Sequence, residues 1–235
     1  MPVYNNEKYF PLAVNSILGQ DYLDYELIII DDGSTDRTPK LADEMAEKDE
    51  RIRVIHQPNQ WIYASYNRGI AEARGEYIYF LNSDDRLRAG SLGLMAETAI
   101  KYRPDIIWTV VLIHECDEEQ NIITYNKSEL DKRVMEEHFY KNEIEVRNNW
   151  PYFYMSFLAH NQANLYRSEI MKKHKFRNDV YGADTLYNIS IASDIKSAYL
   201  LKEPVYDFFI YKKGKMNIFT GKFFDYEHDM FNEIY

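Results

Sequence analysis

Short apolar runs alternate along this chain with stretches in which apolar residues recur every three or four positions. Leu27 to Ile30, Tyr77 to Leu81 and Ile106 to Leu112 are the runs. Apolar runs of this length, interrupted only by Thr109 in the third, predict strands buried on both faces. Arg53 to His56 reads as a further short strand. Between them, Tyr9, Leu12, Ala13, Ile17 and Leu18 follow a candidate cap at Asn6 and predict a helix ending near Gly19. Leu41, Ala42, Met45 and Ala46 form the stripe of a second helix, with Thr38 at its cap and Pro39 in its first turn. Ile62, Ser65, Gly69, Ile70 and Ala73 predict a third helix over residues 61–74, stopped by Gly75, and a fourth from Ser91 to Tyr102 halts before Pro104. Strand and helix in regular alternation imply an α/β fold, a doubly wound and mostly parallel sheet with helices on both faces.

The texture changes after Glu115. A polar loop over 116–121 precedes a charged amphipathic helix over 128–140 and an aromatic run over 150–157. A short helix from Ser168 to Lys173, another from Asp184 to Ala192, and strand pieces at 196–201 and 205–211 complete the pattern. This half reads as a smaller elaboration built onto the first sheet, the place for a second substrate. In the tail, residues 212–235, Lys212, Lys213, Lys215 and Lys222 lie among Phe219, Phe223 and Phe224. Such a basic aromatic segment serves either as a docked terminal helix or, over 212–224, as a peripheral contact with an anionic membrane.

Composition narrows the function classes. At 235 residues the chain suits one core with an appended subdomain, and a net charge of -10 argues against general nucleic-acid binding, which needs clustered cations. A single cysteine, Cys116, allows no internal disulfide, and without a signal-like segment a reducing cytoplasmic compartment is expected. No apolar run approaches bilayer-spanning length.

Candidate chemistry gathers at the carboxyl ends of two predicted strands. Asp31 and Asp32 follow the first, and Asn82-Ser83-Asp84-Asp85 follow the second. In a parallel sheet such ends converge on one crevice, where ligands bind. The plainer reading of the first pair is an Asx-turn bent at Gly33. Carboxylate oxygens of this kind suit Mg²⁺ or Mn²⁺, completed by substrate phosphates and water. No two histidines show metal-site spacing.

Together these motifs resemble the inverting family 2 glycosyltransferases of the GT-A fold. The resemblance rests on Pro2-Val3-Tyr4-Asn5, Ser16-Ile17-Leu18-Gly19-Gln20, Asp31-Asp32-Gly33-Ser34-Thr35-Asp36, Asn67-Arg68-Gly69-Ile70, Ala73-Arg74-Gly75-Glu76-Tyr77 and Phe80-Leu81-Asn82-Ser83-Asp84-Asp85, in the family's order over residues 2–90. It implies a nucleotide-sugar-binding region over 1–114 and an acceptor and catalytic-base region over 115–211 of the same domain. The implied reaction moves a sugar from a nucleoside-diphosphate sugar, UDP-sugar favoured, to a hydroxyl of a glycan or lipid-linked acceptor in polysaccharide or cell-envelope glycan synthesis. Pro2, Tyr4, Asp32, Asn67, Asn82 and Asp84 are implied at the nucleotide, Asp84 and Asp85 at the metal, and Asp184, within Tyr181-Gly182-Ala183-Asp184, as catalytic base. Trp150, His160 and Asn161 are candidates for contact with the acceptor.

The chain departs from the family at Asn82, where Asp is usual, at Tyr66, often Arg, and at Ala183, where Glu is common. The family's apolar strand ahead of Pro2 is also missing, which predicts an uncovered flank beside the strand at 27–30. These departures open a second possibility, a degenerate domain that binds nucleotide sugar or a protein partner without turnover. A nucleotidyltransferase is disfavoured, because no Gly-rich phosphate loop lies near the first strand.

Overall fold

The five residues Leu27–Asp31 are all buried, as their unbroken apolar run requires of a strand covered on both faces. This strand, β2, anchors the first of two sheets in the computed structural model, which describes residues 1–127, 137–149, 161–180 and 182–211. It lies between β1 (Pro2–Val3) and β3 (Ile52–His56), with both pairings parallel. Helices α1 (Phe10–Leu18), α2 (Thr38–Ala46) and α3 (Ile62–Glu72) belong to this half.

The second sheet has seven strands. Its path is β4 (Tyr77–Tyr79), β9 (Leu165–Arg167), β6 (Ile106–Cys116), β10 (Ala198–Tyr211) and β5 (Arg86–Leu87). Strand β7 (Ile122–Lys127) pairs with β6, and β8 (His138–Tyr140) pairs with β10. Helix α4 (Ser91–Tyr102) precedes β6. Helix α5 covers residues 143–149, α6 is Ser168–Met171 and α7 is Ala183–Ala192. The long β6–β10 pair is parallel, while β4–β9, β6–β9, β5–β10, β6–β7 and β8–β10 are antiparallel. The chain is thus α/β, with a parallel layer elaborated by antiparallel additions.

One expectation is met and two are corrected. The uncovered flank expected beside the strand at 27–30 is present: between β2 and β4 lies an apolar cavity of about 520 Å³, lined by residues that include Ile28, Ile30, Ile70, Tyr77, Met95 and Ala99. Residues 138–140 are a strand, not the end of a helix, because Phe139 packs its ring on Tyr102 and Tyr199 while the backbone pairs with Ala198–Leu200. The expected helix over 128–136 lies outside the described residues. The two strand pieces at 196–211 are one strand, with register shifts on either side of Pro204, whose missing N–H interrupts the ladder without ending it.

Helix faces are rotated by about one residue from the pattern read in the sequence. In α1 the buried set is Phe10, Ala13, Val14 and Ile17, and Leu12 is 42% exposed. In α3 it is Tyr63, Ser65, Tyr66 and Ile70, with Ile62 43% exposed. The tyrosines displace the aliphatic residue because their hydroxyls reach half-buried partners on other elements, Asp184 and Asn82. Among the described residues no helix is long and apolar enough to cross a membrane.

Candidate active site

At the end of β2 the two adjacent carboxylates divide their work. Asp31 turns inward: Ser34 N–H donates to its Oδ1 (3.1 Å), and its Oδ2 meets His56 Nδ1 at 2.7 Å. The turn reading therefore holds for Asp31. Asp32 is buried as well, 4% exposed. Its Oδ1 accepts from Gln57 Nε2 (2.7 Å) and Gln60 N–H (3.0 Å), and no described residue bonds its Oδ2. Gly33, at φ +78°, makes the bend, and a Cβ there would lie 2.8 Å from the Asn59 nitrogen. Gly33→Ala is therefore expected to cost about 1–3 kcal/mol in urea unfolding, by combining a disfavoured φ with a backbone clash. An unchanged midpoint would show that this turn relaxes freely.

His56 also meets Asp43 Oδ1 at 3.1 Å, and the hydrogen bond to Asp31 raises its pKa above 6.5. A raised folded-state pKa contributes stability that is present below the unfolded value and is lost as pH rises through the folded one. The imidazole is 45% exposed, so solvent screening keeps the effect below about 1 kcal/mol. Denaturation midpoints should fall more between pH 5.5 and 8.5 in the wild type than in His56→Gln. Parallel slopes for the two proteins would discount the pair.

The amino-terminal half of α3 ties the remaining parts together. Tyr63 donates its hydroxyl to Asp184 Oδ2 (3.2 Å), and Ser65 Oγ accepts from the same Gln57 amide that holds Asp32 (3.2 Å). Tyr66 donates to Asn82 Oδ1 (3.0 Å). Three segments that the sequence separates by up to about 150 residues, at Asp32, Asn82–Asp85 and Asp184, are thereby joined through three residues within one turn of one helix.

Asn82 is bonded through both ends of its side-chain amide. Besides Tyr66, its Oδ1 meets Gln162 Nε2 at 3.3 Å, and its amide donates to Asp85 Oδ2 at 3.0 Å. Asp85, expected as the nearer metal ligand, is instead buried. Its Oδ2 also accepts from Tyr206 (2.6 Å), and its Oδ1 accepts from Phe209 N–H (2.9 Å). Burial first, then the charge of Asp84 beside it, push its pKa well above the ordinary carboxylate range. Asp84 is only partly buried, and its carbonyl accepts from Gln120 Nε2 (3.2 Å).

Asp184 sits in the first turn of α7. Asn161 Nδ2 donates to its Oδ1 at 2.8 Å, and burial raises its pKa to about 6, against the opposing hydrogen bonds from Tyr63 and Asn161. A carboxylate tuned to that range is ionised at neutral pH yet basic enough to take a proton. Ala183 is completely buried, so the position where Glu was expected is given to core packing.

The structure reassigns several other candidates. Asn67 exchanges both amide hydrogen bonds with the backbone of Phe176 (2.8 Å each), so it pins a loop instead of meeting a nucleotide. Pro2 is buried in β1. Asn161 is completely buried and holds Asp184, which removes it from contact with an acceptor. Tyr4 is 52% exposed. Trp150, His160 and the 212–224 segment lie outside the described residues. Tyr63, Gln57, Gln60, Gln162 and Tyr206 went unrecognised in the sequence. Only the Tyr63/Tyr66 spacing, one helical turn, could have flagged a pair on one face.

Residues 1–173 match the model of glycosyl transferase family 2. The chain is 28% identical over 210 residues to the uncharacterized glycosyltransferase EpsJ of Bacillus subtilis (strain 168), an alignment covering 88% of this chain and 58% of that protein. Among solved structures, S. aureus TarS in complex with UDP-GlcNAc superposes with a TM-score of 0.72 at 19% identity, covering 92% of this chain and 58% of that one. The mannosyltransferase PcManGT from Pyrobaculum calidifontis, in complex with GDP-Man and Mn²⁺, gives 0.62 at 17% identity, covering 91% and 56%. The chain thus spans somewhat over half the length of each of these relatives.

Proposed function

The chain belongs to glycosyl transferase family 2, and from that premise we propose that it transfers a sugar from a nucleoside-diphosphate sugar, UDP-sugar favoured, to a hydroxyl of a glycan or lipid-linked acceptor with inversion. The observation that carries the reading is the gathering of Asp32, the Asn82–Asp85 turn and Asp184 about Tyr63, Ser65 and Tyr66. TarS and PcManGT support a nucleotide-sugar donor through the UDP-GlcNAc and GDP-Man bound to them.

In this reading Asp32 Oδ2 accepts from the nucleobase, and the donor's diphosphate lies toward Asp84. The acceptor hydroxyl attacks the anomeric carbon from the face opposite the leaving group. As the new C–O bond forms, the C–O bond to phosphate breaks and its electron pair leaves on the nucleoside diphosphate. Asp184 takes the hydroxyl proton. One displacement inverts the centre.

Mg²⁺ or Mn²⁺ fits this donor set modestly. Among the described residues no group of three His, Cys, Asp or Glu side chains is placed to hold a metal ion, so Asp84 would hold the ion in concert with donor phosphates, which is how such hard ions are often bound. When bound, the ion would offset charge building on the leaving diphosphate.

UDP at a hundred times its dissociation constant is expected to stabilise the protein by about 2.7 kcal/mol, read as a rise in melting temperature that is larger with Mn²⁺ than without. A panel of nucleotide sugars none of which moves the melting temperature would refute donor binding. Asn82 and Ala183, which replace acids, favour a second reading in which the donor binds without turnover. Stabilisation by UDP with no release of UDP from any UDP-sugar would select it.

A further inference from the structure

Trp61, the residue before α3, has φ 72° and ψ 163°, a combination found almost solely in glycine. Burial does not explain why so large a side chain is held in that conformation, because Trp61 is 73% exposed. Strained backbone of this kind persists where the surrounding structure over-determines it, and it concentrates at ligand clamps.

Its neighbours locate it. Gln60, one residue earlier, donates its N–H to Asp32 Oδ1 (3.0 Å). Asp32 in turn donates its own N–H to the Val3 carbonyl (2.9 Å), and the residue after Val3 is the exposed Tyr4. Two exposed rings therefore stand one residue from the groups that fix Asp32 on either side, and between them Asp32 Oδ2 is the oxygen that no described residue engages. A carboxylate oxygen with an exposed aromatic residue next in sequence to each of its backbone anchors suits a planar heterocycle with a ring N–H, whose edge would donate to the oxygen and whose faces the rings would cover. The acceptor sugar is a poorer match, because Tyr63, two residues on and so roughly on the opposite side of the helix, is the one that reaches Asp184.

We infer that Trp61 stacks on the donor's nucleobase, as the wall of the base pocket that faces Tyr4. The inference rests on the nucleotide-sugar reading above and adds to it a residue that sets base affinity.

Isothermal titration of UDP and of pyrophosphate into wild type, Trp61→Gly, Trp61→Leu and Trp61→Phe, with melting curves of the unliganded proteins, tests it. Trp61→Gly should bind UDP roughly tenfold or more weaker, the scale of a lost base–aromatic stack. It should also melt no lower than wild type, because glycine accepts the positive φ without strain. Trp61→Phe should stay within about threefold of wild type, Trp61→Leu should resemble the glycine variant, and pyrophosphate should bind all four alike. UDP binding unchanged in Trp61→Gly and Trp61→Leu would overturn the inference. So would equal losses for UDP and pyrophosphate, which would place the effect away from the base. If the glycine variant melts lower, the Leu and Phe variants decide, since they share a side-chain-bearing backbone and differ in the ring. A wild type that binds none of UDP, GDP, CDP, ADP or dTDP would instead overturn the donor reading itself, a result distinct from any change among the variants.

Discussion

Asp184→Asn is expected to lower the rate of sugar transfer about 10²- to 10⁴-fold while leaving UDP affinity within about twofold, the signature of a lost general base that does not hold the donor. Asn keeps the shape and can still accept from Tyr63 or Asn161, so a loss would report the missing proton acceptor and not a collapsed turn. The wild type should show an acid limb, kcat/KM falling below a pH of about 6 as Asp184 protonates. Asn161→Ala should move that limb upward, because it removes a hydrogen bond that favours the ionised form and leaves burial, which opposes it. Initial-rate measurements across pH 5 to 8 read both effects. Equal rates for wild type and Asp184→Asn would remove Asp184 as base, and an unmoved limb in Asn161→Ala would assign the titration to another group.

The catalytic assignment depends on which features a linear sequence exposes. The strands at 27–30 and 106–112 were legible because a strand buried on both faces carries few polar positions to confuse the pattern, whereas the extension of the second to Cys116, through His114 and Glu115, was read as the approach to a loop. The acids at the strand ends were legible for the same reason, since they stand out against what precedes them. Their division of labour was not. Whether Asp31 or Asp32 turns inward depends on His56, and whether Asp84 or Asp85 does depends on Tyr206 and Phe209, more than 120 residues away. Tyr63 and Tyr66 were left out of the apolar stripe for a related reason: a tyrosine counts as apolar or polar according to whether its hydroxyl finds a partner, and those partners lie on other elements. Asn67 was a candidate through the family resemblance and Asn161 as a polar residue after the aromatic run, but an amide can equally tie down a carboxylate or a loop, as these two do. The single strand across Pro204 was read as two pieces because local rules end a strand at proline, while pairing with β6 along its whole length carries it through.

The inward turn of Asp85 leads to the second large effect, one on stability. Asp85→Ala would remove the acceptor from three donors at once, Tyr206 Oη at 2.6 Å, Phe209 N–H at 2.9 Å and Asn82 Nδ2 at 3.0 Å. A buried donor left without a partner costs about 1–3 kcal/mol. Water entering the space vacated by the carboxylate recovers part of this, so the expected net loss is on the order of 3 kcal/mol. Asp85→Asn keeps the volume and one acceptor oxygen but turns an amide toward groups that already donate, and its loss should be smaller without vanishing. Asp84→Ala provides the contrast. Asp84 is partly exposed, so its replacement should change stability by less than about 1 kcal/mol while reducing whatever stabilisation Mn²⁺ adds to UDP. Urea unfolding of the unliganded proteins separates the two roles, because a metal ligand matters only when metal and donor are present, whereas a buried hydrogen-bond hub matters always. If Asp85→Ala unfolds no more readily than Asp84→Ala, the carboxylate is not holding β10 to the 82–85 turn, and Asp85 returns as a candidate ligand for the ion.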